Sequence, residues 1–128
     1  MTLPAADRPL VGHYLGTEID AKWWKRYRRG GFFARGNGEY WFSESAFCFL
    51  RYLTRKPLEI PFAAVREVRI GRFHAGRWQP GPGGIVKVLW QREGLMLSSG
   101  FVVSREREMS VAVAAGIRQR SACSRRPE

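Results

Sequence analysis

The 128-residue chain is 45% apolar and carries 22 Lys and Arg against 11 Asp and Glu, a formal net charge of +11. That length accommodates one domain with its own core and excludes a second, and the apolar and aromatic content excludes a disordered chain. The positive surplus makes the surface attractive to polyanions, whether nucleic acid, anionic lipid headgroups or an acidic partner protein, and selects none of them.

The charge is spread along the chain, with 10 basic and 6 acidic residues in 1–64 and 12 and 5 in 65–128, so no basic tail is indicated. Cys48 sits in an apolar run and Cys123 in a polar segment, a pair that suggests neither a disulfide framework nor a zinc site. The two histidines, His13 and His74, have no cysteine nearby, so no metal site is expected. There is no apolar stretch of membrane-helix length and no basic flank followed by an apolar core, which points to a cytoplasmic protein able to touch the inner membrane surface.

In chain order, residues 1–16 contain two prolines and no sustained period, and read as an irregular arm. Residues 17–31 read as a helix: Thr17 caps it, Glu18 and Asp20 suit its first turn, and Gly30-Gly31 ends it. Ile19, Trp23 and Tyr27 then share one face, flanked by Lys22, Lys25, Arg26 and Arg29, with Trp24 and Arg28 on a neighbouring stripe. An extended strand is the alternative, since Trp and Tyr favour strands. Two uses of this segment stay open: Trp and Tyr at headgroup level with cations on an anionic surface, or rings stacked on bases with cations on phosphates. A plainer role also stands, with Trp23 and Tyr27 covering a sheet and the cations solvated.

From Phe32 the period becomes that of sheet. FFAR and EYWF are joined by Gly36-Asn37-Gly38, a hairpin signal, and Ser43-Glu44-Ser45 makes the next turn. In 46–53 the set Ala46, Cys48, Leu50 and Tyr52 lacks charge and is taken as the core face, whereas Phe47, Phe49, Arg51 and Leu53 form the other. Leu58 and Ile60 point inward, Pro61 ends that strand, and Phe62 to Val65 makes one helical turn. Val68 and Ile70 face inward next. Residues 71–84 form a long loop in which Phe73, His74, Arg77 and Trp78 are the best candidates for recognition, with closure of a barrel end by Phe73 and Trp78 the competing role. Residues 85–91 and 95–103 pair around Arg92-Glu93-Gly94. Ser104 caps a final helix whose buried stripe is Met109, Ala112, Val113, Gly116 and Ile117, and residues 119–128 read as a frayed polar tail.

No nucleophile and base are placed together by a motif, and the glycine clusters GNG and GPGG lack the strand and helix context of a phosphate loop. An enzyme is not expected, nor a cofactor.

The run GEYWFSESAFCFLRYLTRKPLEIPFAAVREVRIG, continued by LMLSSGFVV and the closing helix, resembles GRAM and bacterial pleckstrin-homology-like (PH-like) domains. The resemblance covers residues 32–118, leaving 1–31 as an N-terminal arm and 119–128 as a tail. It implies a mainly β fold: a bent antiparallel sheet of about seven strands closed at one end by a C-terminal helix, used to bind lipid headgroups, peptides or partner domains. Lipid-binding members hold phosphoinositides with Lys and Arg around the first hairpin; here the matching turn is Ser43-Glu44-Ser45, which has no cation.

The expectation is therefore a non-enzymatic module that binds a protein partner or an anionic membrane surface, with a nucleic-acid binder as the alternative and a ligand inside the curved sheet as a third class. Its surface would comprise Lys22, Trp24, Lys25, Arg26 and Arg28 together with Phe73, His74, Arg77 and Trp78. A free sheet edge would allow a homo-oligomer.

Overall fold

The computed structural model describes residues 9–124. The first eight residues of the expected arm and the last four of the expected tail lie outside this range. The strands are β1 (Leu10–Ile19), β2 (Lys22–Arg26), β3 (Gly36–Phe42), β4 (Ala46–Arg51), β5 (Leu58–Pro61) and β6 (Val65–Gly71). Two short strands, β7 (Phe73–His74) and β8 (Arg77–Trp78), precede β9 (Ile85–Arg92), β10 (Leu95–Val102) and the helix α1 (Arg107–Ser124).

Seven strands form one antiparallel sheet in the order β5-β4-β3-β1-β10-β9-β6, with β2 added to β1 as an eighth. This is the bent sheet and closing helix that the resemblance implies. Its centre is a strand that the expected arm and helix concealed. β1 pairs β3 through its first half, from Leu10 with Tyr40 to Tyr14 with Gly36, and pairs β10 from His13 with Val102 to Ile19 with Leu97. A register shift between Tyr14 and Gly16 bends it. Gly16 (φ 111°) stands where a Cβ would overlap the Arg26 guanidinium. The two prolines that made this stretch read as irregular, Pro4 and Pro9, both precede β1 in the sequence.

The expected helix over 17–31 is not present. Asp20 (φ 55°) and Ala21 (φ 57°) form a two-residue turn of the left-handed kind that joins tightly paired strands, so the chain doubles back as β2. The alternative strand reading is the one that holds. After Arg26 the chain crosses the end of the sheet, and a single 3₁₀ turn at Arg29–Gly31 brings Phe32 into the interior.

The Gly36-Asn37-Gly38 turn is also corrected: these residues lie inside β3 and pair with Tyr14, His13 and Gly12 of β1. The FFAR segment is not their partner strand, because Phe32 is used as a plug. Both faces of β4 are covered over 46–49: Ala46 and Cys48 of the expected core set are buried, but so are Phe47 and Phe49, and it is these two rings that belong to the core cluster, while Leu50 is half-buried and Tyr52 exposed. Arg51, whose charge argued for the outer face, lies at the strand end and donates to the carbonyls of Gly31 (2.6 Å) and Ala34 (3.1 Å).

Elsewhere the alternation is as expected. Leu58 and Ile60 are buried with Glu59 outside, Phe62–Ala64 is one 3₁₀ turn, and Val86, Val88, Trp90, Leu97, Phe101 and Val103 are buried. Of the expected stripe of α1, Val113, Gly116 and Ile117 are buried and Met109 and Ala112 half-buried, with Ser110, Ala114 and Ser121 completing the buried side. That helix begins three residues after Ser104, whose hydroxyl accepts the Glu106 amide (3.0 Å), and continues to Ser124, where a frayed tail was expected. Arg118 of α1 donates to the Val68 carbonyl on edge strand β6 (2.7 Å).

The concave side is filled with rings. Phe101 lies 5.0 Å from Phe47, 5.6 Å from Phe49 and 5.3 Å from Tyr14, and Phe32 lies 5.2 Å from Trp90. A polar chain runs through them: Tyr14 donates to the Phe32 carbonyl (2.5 Å), Trp90 donates to Ser99 (3.0 Å), and Thr17 joins Ser99 to Tyr14 (2.6 Å each). One proton per hydroxyl satisfies every member, as buried polar groups require. Packed rings occupy the space that a ligand inside the curved sheet would need.

Candidate functional site: an aromatic and cationic surface on two hairpins

The candidate residues come from two hairpins, and the way β2 pairs explains why half of them face water. Ile19 pairs Lys22 and the adjacent Glu18 pairs Arg26, so Trp23, Trp24 and Lys25 stand opposite no residue of β1. An extra segment on one strand is forced out of the ladder. Trp23 is accordingly 53% exposed and Trp24 61% exposed, with Lys22 and Lys25 exposed on either side. Tyr27, expected on the same face as Trp23, is buried instead, and its amide donates to the Thr17 carbonyl (2.8 Å).

The second hairpin is a correction to the expected long loop. Phe73 pairs Trp78 and His74 pairs Arg77 around a turn at Ala75 (φ 49°) and Gly76 (φ 83°), forming a two-stranded sheet of its own. Phe73 is 39% exposed and Trp78 65% exposed. His74, expected on the recognition surface, is fully buried and unable to touch a ligand there. Its place is made by Gly100 of β10, where a Cβ would overlap the imidazole.

The two hairpins meet. The Trp23 ring stands edge-on to Phe73 at 6.4 Å and to Trp24 at 5.7 Å. With Trp78 paired to Phe73, four exposed rings form one surface drawn from positions fifty residues apart in sequence. The segment 21–38 contributes Lys22, Lys25, Arg26, Arg28, Arg29 and Arg35 with no acid, and the segment 71–92 contributes Arg72, Arg77, Lys87 and Arg92 with none.

Not every cation is available. Arg26 is half-buried over Gly16 and donates to the Phe33 carbonyl (2.8 Å). Arg28 is exposed, with its guanidinium 4.7 Å from the Phe33 ring. Arg29 pairs Glu93 at 3.0 Å, across an open groove of about 590 Å³ that Arg26, Tyr27 and Arg28 also line. Among the described residues, the cations beside Trp23 and Trp24 that make no ion pair are Lys22 and Lys25; Arg77 is exposed but shares the face of its hairpin with His74, opposite to Phe73 and Trp78.

Beneath the second hairpin lie groups that sequence reasoning missed. Glu18 of β1 is buried, and its carboxylate accepts the Ala75 amide (2.8 Å). Arg35 donates to the Leu15 carbonyl (2.8 Å) and to the Ala75 carbonyl, so one side chain ties the hairpin tip to β1. Burial, with Arg26 and Arg77 close by, pulls the Arg35 guanidinium below its usual range. His74 Nε2 faces the Gly16 carbonyl at 2.9 Å, and its Nδ1 lies 3.6 Å from Glu18. No local pattern marks these residues, because what buries them lies on other strands.

The geometry also places a strand ahead of the turn that was matched to the first hairpin of lipid-binding domains. The β1–β3 connection, residues 20–35, precedes Ser43-Glu44-Ser45. That connection carries Lys22, Lys25, Arg26, Arg28, Arg29 and Arg35, whereas Ser43-Glu44-Ser45 has no cation, as the sequence reads. Among the described residues, no helix is long and apolar enough to cross a membrane.

No curated protein matches the sequence. Residues 2–116 match the family described as bacterial PH domain-like, so the match takes in β1 and the basic connection as well as the later strands. Family match, strand order and closing helix agree: the chain belongs to the bacterial PH domain-like family, with the fold of a binding module.

Proposed function

We propose that the protein is a non-enzymatic module that docks peripherally on an anionic membrane surface through the two hairpins. Trp23, Trp24, Phe73 and Trp78 would enter the headgroup region while Lys22 and Lys25 meet the lipid charge. One observation carries this reading: the Trp23–Phe73 contact merges two segments into a single exposed aromatic surface edged by unpaired cations. Rings that are amphipathic and half-exposed suit an interface wet on one side and apolar on the other. Each cation near an anionic surface adds about 1 kcal/mol.

The test is co-sedimentation with phosphatidylglycerol-containing vesicles against pure phosphatidylcholine vesicles, at rising salt. Binding should need the anionic lipid, weaken with salt, and be lost when Trp23 and Trp24 are both replaced by Ala. A folded protein that ignores anionic vesicles at low salt rules the membrane out and returns the surface to a protein partner. Retention on single-stranded DNA without vesicle binding would favour base stacking on the same rings.

A further inference from the structure

The buried Glu18–His74 pair sits directly under the hairpin that carries Phe73 and Trp78. We propose that it is a proton-operated latch: uptake of a proton at His74 undocks the β7–β8 hairpin from β1 and carries Phe73 and Trp78 away from Trp23. Its consequence for binding rests on the membrane reading above; the latch itself does not.

The geometry fixes the tautomer. Gly16 offers only a carbonyl to Nε2 at 2.9 Å, and a carbonyl can only accept, so Nε2 carries the hydrogen. Nδ1 is then a bare lone pair, buried and without a hydrogen-bond partner. Glu18 Oε1 lies 3.6 Å from it, beyond hydrogen-bond reach, while Oε2 of the same carboxylate holds the Ala75 amide. A fully buried ring satisfied on one side only is poised to change state.

The charges around it decide the direction. Glu18 of β1 favours a second proton; Arg26 of β2 and Lys87 of β9 oppose it; Gly100 of β10 adds no charge and presses on the ring. Arg35 donates to the Ala75 carbonyl, and Arg77 on β8 stands close enough to Arg35 to act on it, adding two more cations around the tip. Burial is the largest effect and holds the imidazole below its ordinary range, with Lys87 and Arg26 acting the same way against Glu18 and the Gly16 carbonyl. A base whose docked form resists protonation binds its proton more readily once hydrated. Docking is therefore at full strength above the ordinary imidazole value of about 6.5 and weakens as pH falls below it.

The fold permits the release. The hairpin is a separate two-stranded sheet, so its departure breaks no rung of the seven-stranded ladder. Such a hairpin has little stability alone, so docking and local order are lost together.

Hydrogen exchange tests this without any ligand. The Ala75 amide, held by Glu18, reports docking, and the Leu97 amide in the main sheet serves as reference. After correction for intrinsic rates, Ala75 protection relative to Leu97 should fall from about pH 7.5 to about pH 5.5, by at most tenfold per pH unit. His74→Gln should remove the dependence. If that variant does not fold, the His74 ring signal in the unmodified protein serves instead: its titration should track the loss of Ala75 protection. A constant ratio in the unmodified protein, or the same fall in His74→Gln, overturns the latch. Vesicle binding with a pH-invariant ratio would reject the latch alone, whereas a pH-dependent ratio without vesicle binding would support the latch and reject the membrane reading.

Discussion

Trp23 and Phe73 meet edge to face, 6.4 Å between centroids and 72° between planes, although one belongs to the first hairpin and the other to a hairpin between β6 and β9. The contact is the only ring-to-ring link between the two halves of the proposed surface among the described residues. A double-mutant cycle on Trp23→Ala and Phe73→Ala should give a coupling of about 0.5 kcal/mol, the low end for aromatic pairs because both rings are exposed. Chemical denaturation of the four proteins checks it, and additivity within error would mean that the hairpins are independent.

Lys22 and Lys25 flank the extruded tryptophans and make no ion pair among the described residues. Replacing both by Ala should leave stability nearly unchanged and weaken anionic-vesicle binding roughly 30-fold, two charges at about 1 kcal/mol each. The same change at Arg29, already paired with Glu93, should weaken it less. Equal losses at the three positions would point to a diffuse field rather than a surface centred on the rings.

Which parts of this architecture were legible in the sequence follows from how local their causes are. The β9–β10 hairpin, the Leu58–Ile60 alternation and the buried side of α1 are set by period and turn residues a few positions apart, and these were readable. β1 was not, because the prolines ahead of it, Pro4 and Pro9, read as the start of an irregular arm, and its helix-like opening of Thr17, Glu18 and Asp20 is overridden by pairing with β10, eighty residues away. The candidate residues were found by composition, but their contact was not. His74 looked like a loop residue because Gly16 and Gly100, which bury it, are on strands distant in sequence.

The turn that hid the first hairpin is under strain that sequence can relieve. Asp20 and Ala21 both hold left-handed backbone, at φ 55° and 57°, where Asn and Gly are at ease. Changing Asp20→Asn together with Ala21→Gly should raise stability by about 1 kcal/mol, less than the strain removed because Gly also frees the unfolded chain. The denaturation midpoint should rise without a change in slope. A fall would mean that the turn is looser in solution than its paired neighbours require.

Tyr14 tests the polar chain inside the barrel. Its hydroxyl supplies the hydrogen bond to the Phe32 carbonyl that seats the plug, and burial raises its pKa well above the ordinary tyrosine value. Tyr14→Phe keeps the ring but leaves the Phe32 carbonyl and the Thr17 hydroxyl short of a partner, at a cost of about 1–3 kcal/mol. The plug should loosen first, seen as faster exchange of the Phe32 amide, which is bonded to the Arg29 carbonyl at 3.2 Å.

Gly100→Ala separates docking of the second hairpin from its chemistry. The added methyl would occupy the space of the His74 imidazole, so ring and methyl cannot both remain in place. β10 is held on both sides, by β1 and β9, and cannot retreat, whereas β7 and β8 pair only with each other. The hairpin should therefore yield, at an overpacking cost of about 1–3 kcal/mol. Exchange at Ala75 should rise to the level of an open turn at every pH, while Leu97 stays protected. Tryptophan emission should shift little, because Trp23, Trp24 and Trp78 already face water and the other two, half-buried Trp41 on β3 and buried Trp90 on β9, stay in the main sheet. If Ala75 stays protected, Gly100 is not the seat of the ring and the latch loses its mechanical basis. If it opens and vesicle binding falls with it, the docked hairpin is part of the binding surface.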